Sequence, residues 1–287
     1  MSDYSPYTQR QTMIAKDYEV YRYRSTYINE VALHHHDFYE VYLLLRGKVT
    51  YIVENHLYHM RPGDLMLVSP LELHQARIST EDDAYERIVL WVARSHLEQL
   101  SSPRTSLTRC FDTSVTGHTN LLRLPAPQSA DLRHRLEQLG ELHAQTDYGS
   151  DLLARSCLVE LLVLLNRMAA DRSQQKTPDC SSDQVVDAVL AYINAHYNEP
   201  LTLDLLSEKF FISKYHLLRK FDAQVGTTVH RYILQKRLLI AKQLLASGVA
   251  PSEVCQYCGF GDYANFYRAF RAEYHQTPRQ YSQSARG

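Results

Sequence analysis

LTLDLLSEKFFISKYHLLRKFDAQVG, residues 201–226, and PSEVCQYCGFGDYANFYRAFRAEYHQTPRQY, residues 251–281, follow one plan twice: a short helix, a tight turn, and a longer basic-aromatic helix. A helix that enters a DNA groove must bury one stripe of side chains and leave another free. The second helix of each segment has that pattern. In the first, Leu217 and Phe221 lie one turn apart and face a core, while Tyr215, Leu218, Arg219 and Asp222 follow helical spacing on another face. In the second, Phe266 and Phe270 form the buried pair, and Asn265, Arg268 and Arg271 point elsewhere. Ser213 and Asp262 stand where N-caps are expected.

Between the two readers, Thr228 to Ser247 has broad helical apolar spacing: Ile233, Ile240 and Leu244 on one side, Leu234, Leu238, Ala241 and Leu245 beside them. Gly248 is placed to end this helix and Pro251 to begin the next. About 20 residues at ~1.5 Å each give a rod of roughly 30 Å. One turn of B-DNA is ~34 Å, so such a rod suits two readers in successive major grooves. The plain alternative is an all-helical interaction domain that never meets DNA.

The stretch from Leu201 to Tyr281 resembles the DNA-binding domain of the AraC family of bacterial transcription regulators. The resemblance rests on Ser213…Leu217-x-Arg219-x-Phe221, Gly226, Arg237 with Ala241 and Leu245, Gly259-Phe260, Phe266…Arg268-x-Phe270, and Thr277-Pro278…Tyr281. It implies contacts to double-stranded DNA from Tyr215, Leu218 and Arg219 on one reader and from Tyr263, Ala264, Asn265 and Arg268 on the other. Lys214 and Lys220 are assigned to phosphates, and Arg271 joins the second reader's exposed face. Leu218 offers no hydrogen bond, so its base contact would be apolar, to a thymine methyl. His275 departs from the pattern, where a glycine is usual, as does Leu206, where a small residue is more usual. A histidine tolerates the left-handed conformation at some cost.

Charge supports this reading only when the chain is divided. The chain of 287 residues has 31 Lys and Arg against 32 Asp and Glu. From Asp183 onward there are 12 basic and 9 acidic residues, a balance of +3; the remainder has 19 against 23, a balance of −4. The sign suits a polyanion partner, but the excess is modest, so binding must depend on placement. The length suffices for two domains. No apolar run of membrane-spanning length and no apolar leader occur, so a cytoplasmic location without a membrane partner is expected. Five scattered cysteines suggest reduced thiols. Cys255-x-x-Cys258 has no second ligand pair for zinc and reads as core.

The front of the chain is built on a different rhythm. From about Tyr18 to Val92, turn signals recur at Arg46-Gly47, Glu54-Asn55, Arg61-Pro62-Gly63-Asp64, Ser69-Pro70 and Glu81-Asp82-Asp83. Strand-like runs lie between them at 39–45, 49–53, 64–68 and 87–92, as in an antiparallel sandwich or barrel. The spacing His34-x-His36-x3-Glu40-x6-Gly47, followed by Gly63, Pro70 and His74, resembles the cupin barrel in the version used by AraC-family effector domains. It lacks the upstream glycine, and its second part is displaced by about a residue.

Residues 34, 36 and 40 share parity and would face one side of a continuous strand, with His74 opposite on another. Three imidazoles and a carboxylate suit Zn, Ni, Mn or Fe. The same groups also suit a polar pocket without metal, and no resident metal or organic cofactor is expected. If a metal is held, its ligands are His34, His36, Glu40 and His74. His35 has the opposite parity and is expected at the surface. Tyr23, Tyr39, Tyr42, Tyr51 and Tyr58 offer stacking faces and hydroxyls to a sugar-like ligand, or cap strand faces in the core. The expected effector site is His34, His36, Glu40, Tyr42 and His74.

Pro125-Ala-Pro127 closes this region, and 129–146 and 151–170 have helical spacing. Leu153, Cys157, Leu161, Leu164 and Met168 are expected against the barrel. Leu158, Leu162 and Leu165 are left over, and the family resemblance implies a homodimer interface there, with burial inside one subunit as the alternative. Residues 171–182 are polar and read as a linker.

The resulting expectation is an α+β chain. Residues 1–125 form a cupin- or jelly-roll-like antiparallel barrel and 126–170 a helical dimerisation segment. After the 171–182 linker, 183–287 form an all-α domain with two helix-turn-helix units joined by a long helix. Its function is expected to be sequence-specific transcription regulation, as an activator under a small-molecule effector, a carbohydrate first, with RNA polymerase as a further partner and no enzymatic activity. The alternatives are a cupin metalloenzyme with an appended DNA module and an architectural DNA-bender.

Overall fold

The computed structural model describes residues 12–25, 30–54, 56–70, 72–79, 84–115, 117–171 and 183–284. The turn at 81–83, Asn55, Cys180 and nearly all of the expected linker lie outside the described residues. The chain divides at residues 181 and 182 into two compact units, apart from the turn at 54–56.

The first unit carries Tyr18–Ser25 (β1), Glu30–His34 (β2), Phe38–Arg46 (β3), Val49–Val53 (β4), His56–Met60 (β5), Leu65–Val68 (β6), His74–Ile78 (β7), Tyr85–Ala93 (β8) and Leu121–Leu122 (β9). They form a five-stranded sheet, β1-β8-β3-β6-β9, and a four-stranded sheet, β2-β7-β4-β5. The antiparallel architecture read from the turn spacing therefore takes the form of two sheets. At the β3–β4 turn Gly47 has φ +107°, a conformation that glycine adopts without a side-chain penalty.

The larger sheet is buried on both faces, and strand alternation sorts its side chains. Phe38, Tyr42 and Leu44 of β3, with Met66, Val68, Val89 and Trp91, meet Val49, Tyr51, Val53, Tyr58 and Ala76 of the smaller sheet. Val41, Leu43, Leu65, Leu67, Ile88 and Leu90 point the other way, onto the helices Ala126–Ala144 (α2) and Ser150–Ala170 (α3). A third helix of this unit, Arg94–Leu100 (α1), adds Leu97 to the same core. Pro127 falls in the first turn of α2, where its missing N–H removes no helical bond, so α2 starts three residues before the expected 129.

The structure overturns the assignment of the leftover leucines of α3. Leu158, Leu162 and Leu165 are fully buried in the subunit's own core, with Leu132, Leu136 and Leu139 of α2. The inward stripe of α3 runs through Ala154, Cys157, Leu158, Leu161, Leu162 and Leu165: Cys157 and Leu161 are buried as expected, Leu164 and Met168 pack half-buried against the same core, and the stripe is wider than expected on the side of Leu158, Leu162 and Leu165. Leu153, expected inside, is 60% exposed. The outward face of α3 forms a shallow groove lined by Leu152, Arg155, Ser156, Val159, Glu160 and Val163.

The second unit is helical: Gln184–His196 (α4), Leu203–Lys209 (α5), Lys214–Val225 (α6), Val229–Ala246 (α7), Pro251–Tyr257 (α8), Tyr263–Tyr274 (α9) and Pro278–Ser284 (α10). Side-chain caps set the starts of five of them: Asp183 accepts from Val185 and Val186 N–H, Thr202 from Leu205, Ser213 from His216, Thr228 from Arg231 and Asp262 from Asn265. Gly259 has φ +72°, and a Cβ there would lie 2.4 Å from the Asn198 carbonyl oxygen, so only glycine fits. Arg237 on α7 donates to the carbonyls of Tyr197 and Glu199, at 2.7 and 2.8 Å, tying the long helix to the segment before α5. Cys255 and Cys258 are buried beside Phe266 and Phe270 as core residues. Burial pushes the Cys258 thiol up to about 12. Among the described residues, no helix is long and apolar enough to cross a membrane.

Candidate functional site

Two regions carry chemistry. The first is the pair of helices α6 and α9. Leu217 and Phe221 of α6, and Phe266 and Phe270 of α9, are fully buried, as their spacing predicts. These anchors leave the opposite faces in solvent: Lys214, Tyr215, Leu218 and Arg219 on α6, and Tyr263, Ala264, Asn265, Arg268 and Arg271 on α9 are all exposed. Of the residues that the sequence assigned to DNA, only Lys220 is half-buried. Asp262 caps α9 and also accepts from the Asn265 amide; Asn265 in turn accepts from Arg268. This short relay holds an amide and a guanidinium, two groups suited to base edges, in one orientation. Lys214 pairs with Asp204, and Lys220 donates to Asp183 at 2.6 Å. Gly226 and His275 end α6 and α9 in the left-handed conformation, at φ +76° and +56°, so His275 does replace the usual glycine.

The second region lies inside the first unit. Glu40 and Tyr42 sit on β3, His74 opens β7, and His36 lies in the short turn between β2 and β3. His34 ends β2 and pairs in register with His74, next to a bulge. His36, Glu40 and His74 are all buried, and one ligand atom from each lies within 4.8 Å of the others. The His74 ring is 4.1 Å from that of His34 and 4.7 Å from that of His36, centroid to centroid. Three of the expected four, His36, Glu40 and His74, thus converge with their ligand atoms, His34 placing its ring beside His74 outside that cluster, and His36 comes from a turn and not from a continuous strand. His35, expected at the surface, is buried because that same turn folds it inward. Tyr42 lies farther along β3 and shares a 2.7 Å hydrogen bond with the Tyr85 hydroxyl.

Three residues that sequence reasoning did not assign to this site complete it. Trp91, cross-strand from Glu40, donates its indole N–H to Glu40 Oε2 at 2.8 Å. Tyr51, offered with four other tyrosines as a stacking face and a hydroxyl for a sugar-like ligand or as a core residue, donates to Glu40 Oε1 at 3.1 Å. Arg87 lies 4.2 Å above the Tyr85 ring and 4.7 Å above that of Tyr23, a buried cation against aromatic faces. The pairing of Glu40 with Trp91 follows from strand register, which one sequence does not reveal.

The histidine tautomers are set by their partners. His34 Nδ1 bonds the Ala32 carbonyl at 2.7 Å, His36 Nδ1 that of Phe38 at 2.9 Å, and His74 Nδ1 that of Glu72 at 2.9 Å. A carbonyl only accepts, so each Nδ1 carries its proton and each Nε2 faces away from the backbone. Desolvation, then the neighbouring His36, pushes His34 down to about 4, and desolvation with the charges of His34 and His36 lowers His74 well below the usual range. Burial alone would raise Glu40, but the bond and charge of His36, the charge of His34 and the Trp91 bond together hold it below the usual carboxylate range.

A family model described as an AraC-like ligand binding domain matches residues 17–162, and one described as a helix-turn-helix domain matches residues 206–284. The chain is 24% identical over 255 residues to the HTH-type transcriptional activator RhaS of Escherichia coli O139:H28, covering 88% of each chain. It is 29% identical over 256 residues to the HTH-type transcriptional regulator YbfI of Bacillus subtilis, covering 85% of this chain and 84% of that one. Among solved structures it is similar to ToxT of Vibrio cholerae, at 12% identity, with 93% of this chain and 98% of ToxT covered and a TM-score of 0.39. With a ligand-binding match over half its length followed by the DNA-binding helices, this chain belongs to the AraC family of transcription regulators.

Proposed function

We propose that this regulator acts as a homodimeric transcriptional activator whose N-terminal sandwich binds a small polar effector, a carbohydrate in the first instance. The observation that carries the reading is the coexistence of two exposed reader faces, α6 and α9, with a buried polar cluster in the preceding domain. In this reading Arg219, Arg268 and Asn265 contact base edges, and Tyr215, Leu218, Tyr263 and Ala264 fit against them in the major groove. Lys214 and Arg271 meet phosphates, and RNA polymerase is the further partner of an activator bound at a promoter. The helix α7 has 18 residues, a rod of about 27 Å, which suits readers placed in successive grooves.

The effector contacts His34, His36, Glu40, Tyr42 and His74, with Trp91 and Tyr51 fixing the Glu40 carboxylate. Aromatic rings beside a charged, hydrogen-bonding cluster are what a sugar ring with hydroxyls requires. Because Leu158, Leu162 and Leu165 are core residues, the two-fold pairing is placed on the outward face of α3, through Leu152, Ser156, Val159 and Val163. An activator role is supported by the similarity to RhaS, which is described as a transcriptional activator.

A footprint of the full chain on candidate promoters, with and without a panel of monosaccharides, tests the reading. One sugar should change occupancy or the pattern of protected bases. A ligand shifts such an equilibrium only by its differential affinity for the two states. Footprints that ignore every sugar in the panel would remove the carbohydrate assignment.

A further inference from the structure

We infer that Phe211, in the turn that precedes α6, is a further DNA-contacting residue, whose ring packs on the C5 methyl groups of thymines beside the first reader's bases. The inference rests on the reading that α6 faces DNA. It adds a side chain that neither the helical spacing nor the family resemblance places there, and it names what that side chain recognises.

Phe211 is 98% exposed, so its ring is left in water and contributes nothing to the domain's own core. Its backbone is left-handed, at φ +51°, where a bulky side chain is a steric outlier. It is the first residue after Phe210, the C-cap of α5, and stands two residues before Ser213, the N-cap of α6. In the second unit the same step, directly after the α8 C-cap Cys258, is Gly259 at φ +72°. Glycine bears that conformation without a side-chain clash. The first unit thus places a phenylalanine where its backbone favours glycine, and leaves the whole ring exposed. An apolar partner surface offsets both unfavourable effects.

The setting of the ring points to that partner. The N-terminal residues of a reader helix meet base edges, and Phe211 stands just ahead of that end of α6. Tyr215 and Leu218, 71% and 40% exposed and one turn apart on α6, give the same reader an apolar side. Its two lysines are already held by carboxylates, Lys214 by Asp204 and Lys220 by Asp183. A phenyl ring has no hydrogen-bonding group to offer a base. In the major groove the apolar group on a base edge is the thymine C5 methyl, and phenylalanine is among the side chains that contact it. The second reader differs in kind, since Asn265, Arg268 and Arg271, exposed on α9, bring hydrogen-bond donors.

The test uses the full chain and a duplex that it selects from a random-sequence library. The two halves of that duplex are assigned by the protection each loses with Arg219→Ala and Arg268→Ala. Deoxyuridine then replaces thymidine in one half at a time, which keeps every hydrogen-bonding group and removes only the methyl. Burial of one methyl is worth about fourfold in affinity, so anisotropy titrations should show about that loss for each contacted thymine of the first half, and less in the second. Phe211→Gly should weaken binding to the thymidine duplex by about fourfold or more. Its melting temperature should be no lower than the wild type's, because glycine accepts a positive φ, whereas a merely structural role would lower the melt. On the first-half deoxyuridine duplex the loss from Phe211→Gly should shrink, since the other partner of the contact is already gone. A first-half exchange that costs no more than the second-half one, or a Phe211→Gly chain that binds like the wild type, overturns the inference. An equal Phe211→Gly loss on both duplexes also overturns it, and sets the ring against deoxyribose. Arg219→Ala tests the underlying reading separately. If it weakens binding while methyl removal does not, α6 still reads DNA and the inference about Phe211 alone falls; if it is silent too, both fall.

Discussion

Leu162→Ala distinguishes a core residue from an interface residue. The Leu162 side chain is fully buried among α2, α3 and the larger sheet. Truncation removes a methine and two methyl carbons from the core that also holds Leu132, Leu136, Leu158 and Leu165. Transfer and cavity contributions together cost about 3–4 kcal/mol for such a leucine. For a unit of this size each kcal/mol lowers the melting temperature by about 2–4 °C, so the loss should be roughly 6–16 °C. Differential scanning calorimetry measures the melt, and analytical ultracentrifugation follows the oligomer in parallel. Leu152→Asp is the counterpart: it is 63% exposed on the outward face of α3. It should leave the melt nearly unchanged and weaken self-association. If Leu162→Ala instead melts like the wild type while releasing monomers, the placement of α3 is wrong and the leucine ridge faces a second subunit.

Two further outcomes follow from the second unit. Gly259→Ala forces a Cβ against the Asn198 carbonyl at a positive φ, and should destabilise this unit by about 2–4 kcal/mol. Its calorimetric transition should fall while that of the N-terminal unit stays in place, and an unshifted melt would contradict the close approach. Lys214→Ala should lower affinity for specific and unrelated DNA alike and reduce the salt slope by about one, measured by fluorescence anisotropy across a salt series. A loss confined to the specific site would make Lys214 a base reader instead.

The reader helices were legible because their determinants are local. Ser213 and Asp262 cap within one turn, and the Leu217–Phe221 and Phe266–Phe270 pairs follow the 3.6-residue period that decides which face is buried. Because α3 is apolar on most sides, periodicity defines its inward face only loosely: it finds Cys157 and Leu161 but leaves out Leu158, Leu162 and Leu165 and includes the exposed Leu153. In the sandwich, parity anticipates the meeting of His36, Glu40 and His74, with the His34 ring beside His74, but not how they meet. The register shifts between Val31 and His34, and the chain turns at 35–37, so His35 is buried against its parity while His36 still reaches the cluster. Trp91 and Tyr51 reach Glu40 from 51 and 11 residues away, through strand pairing and sheet stacking that no local pattern encodes. The helix 184–196 was not singled out either, although its Asp183 cap and its buried Val186, Val189, Leu190 and Ile193 are local signals of the same kind.

The most direct test of two readers on one chain is an affinity measurement at fixed salt. Wild type, Arg219→Ala and Arg268→Ala are compared on an operator and on variants altered in either half of the protected site. Each substitution should cost about 1–3 kcal/mol and relax base preference in one half only, a different half for each arginine. If both variants bind the operator as the wild type does, with unchanged base preference throughout, α6 and α9 are not the surfaces that read DNA.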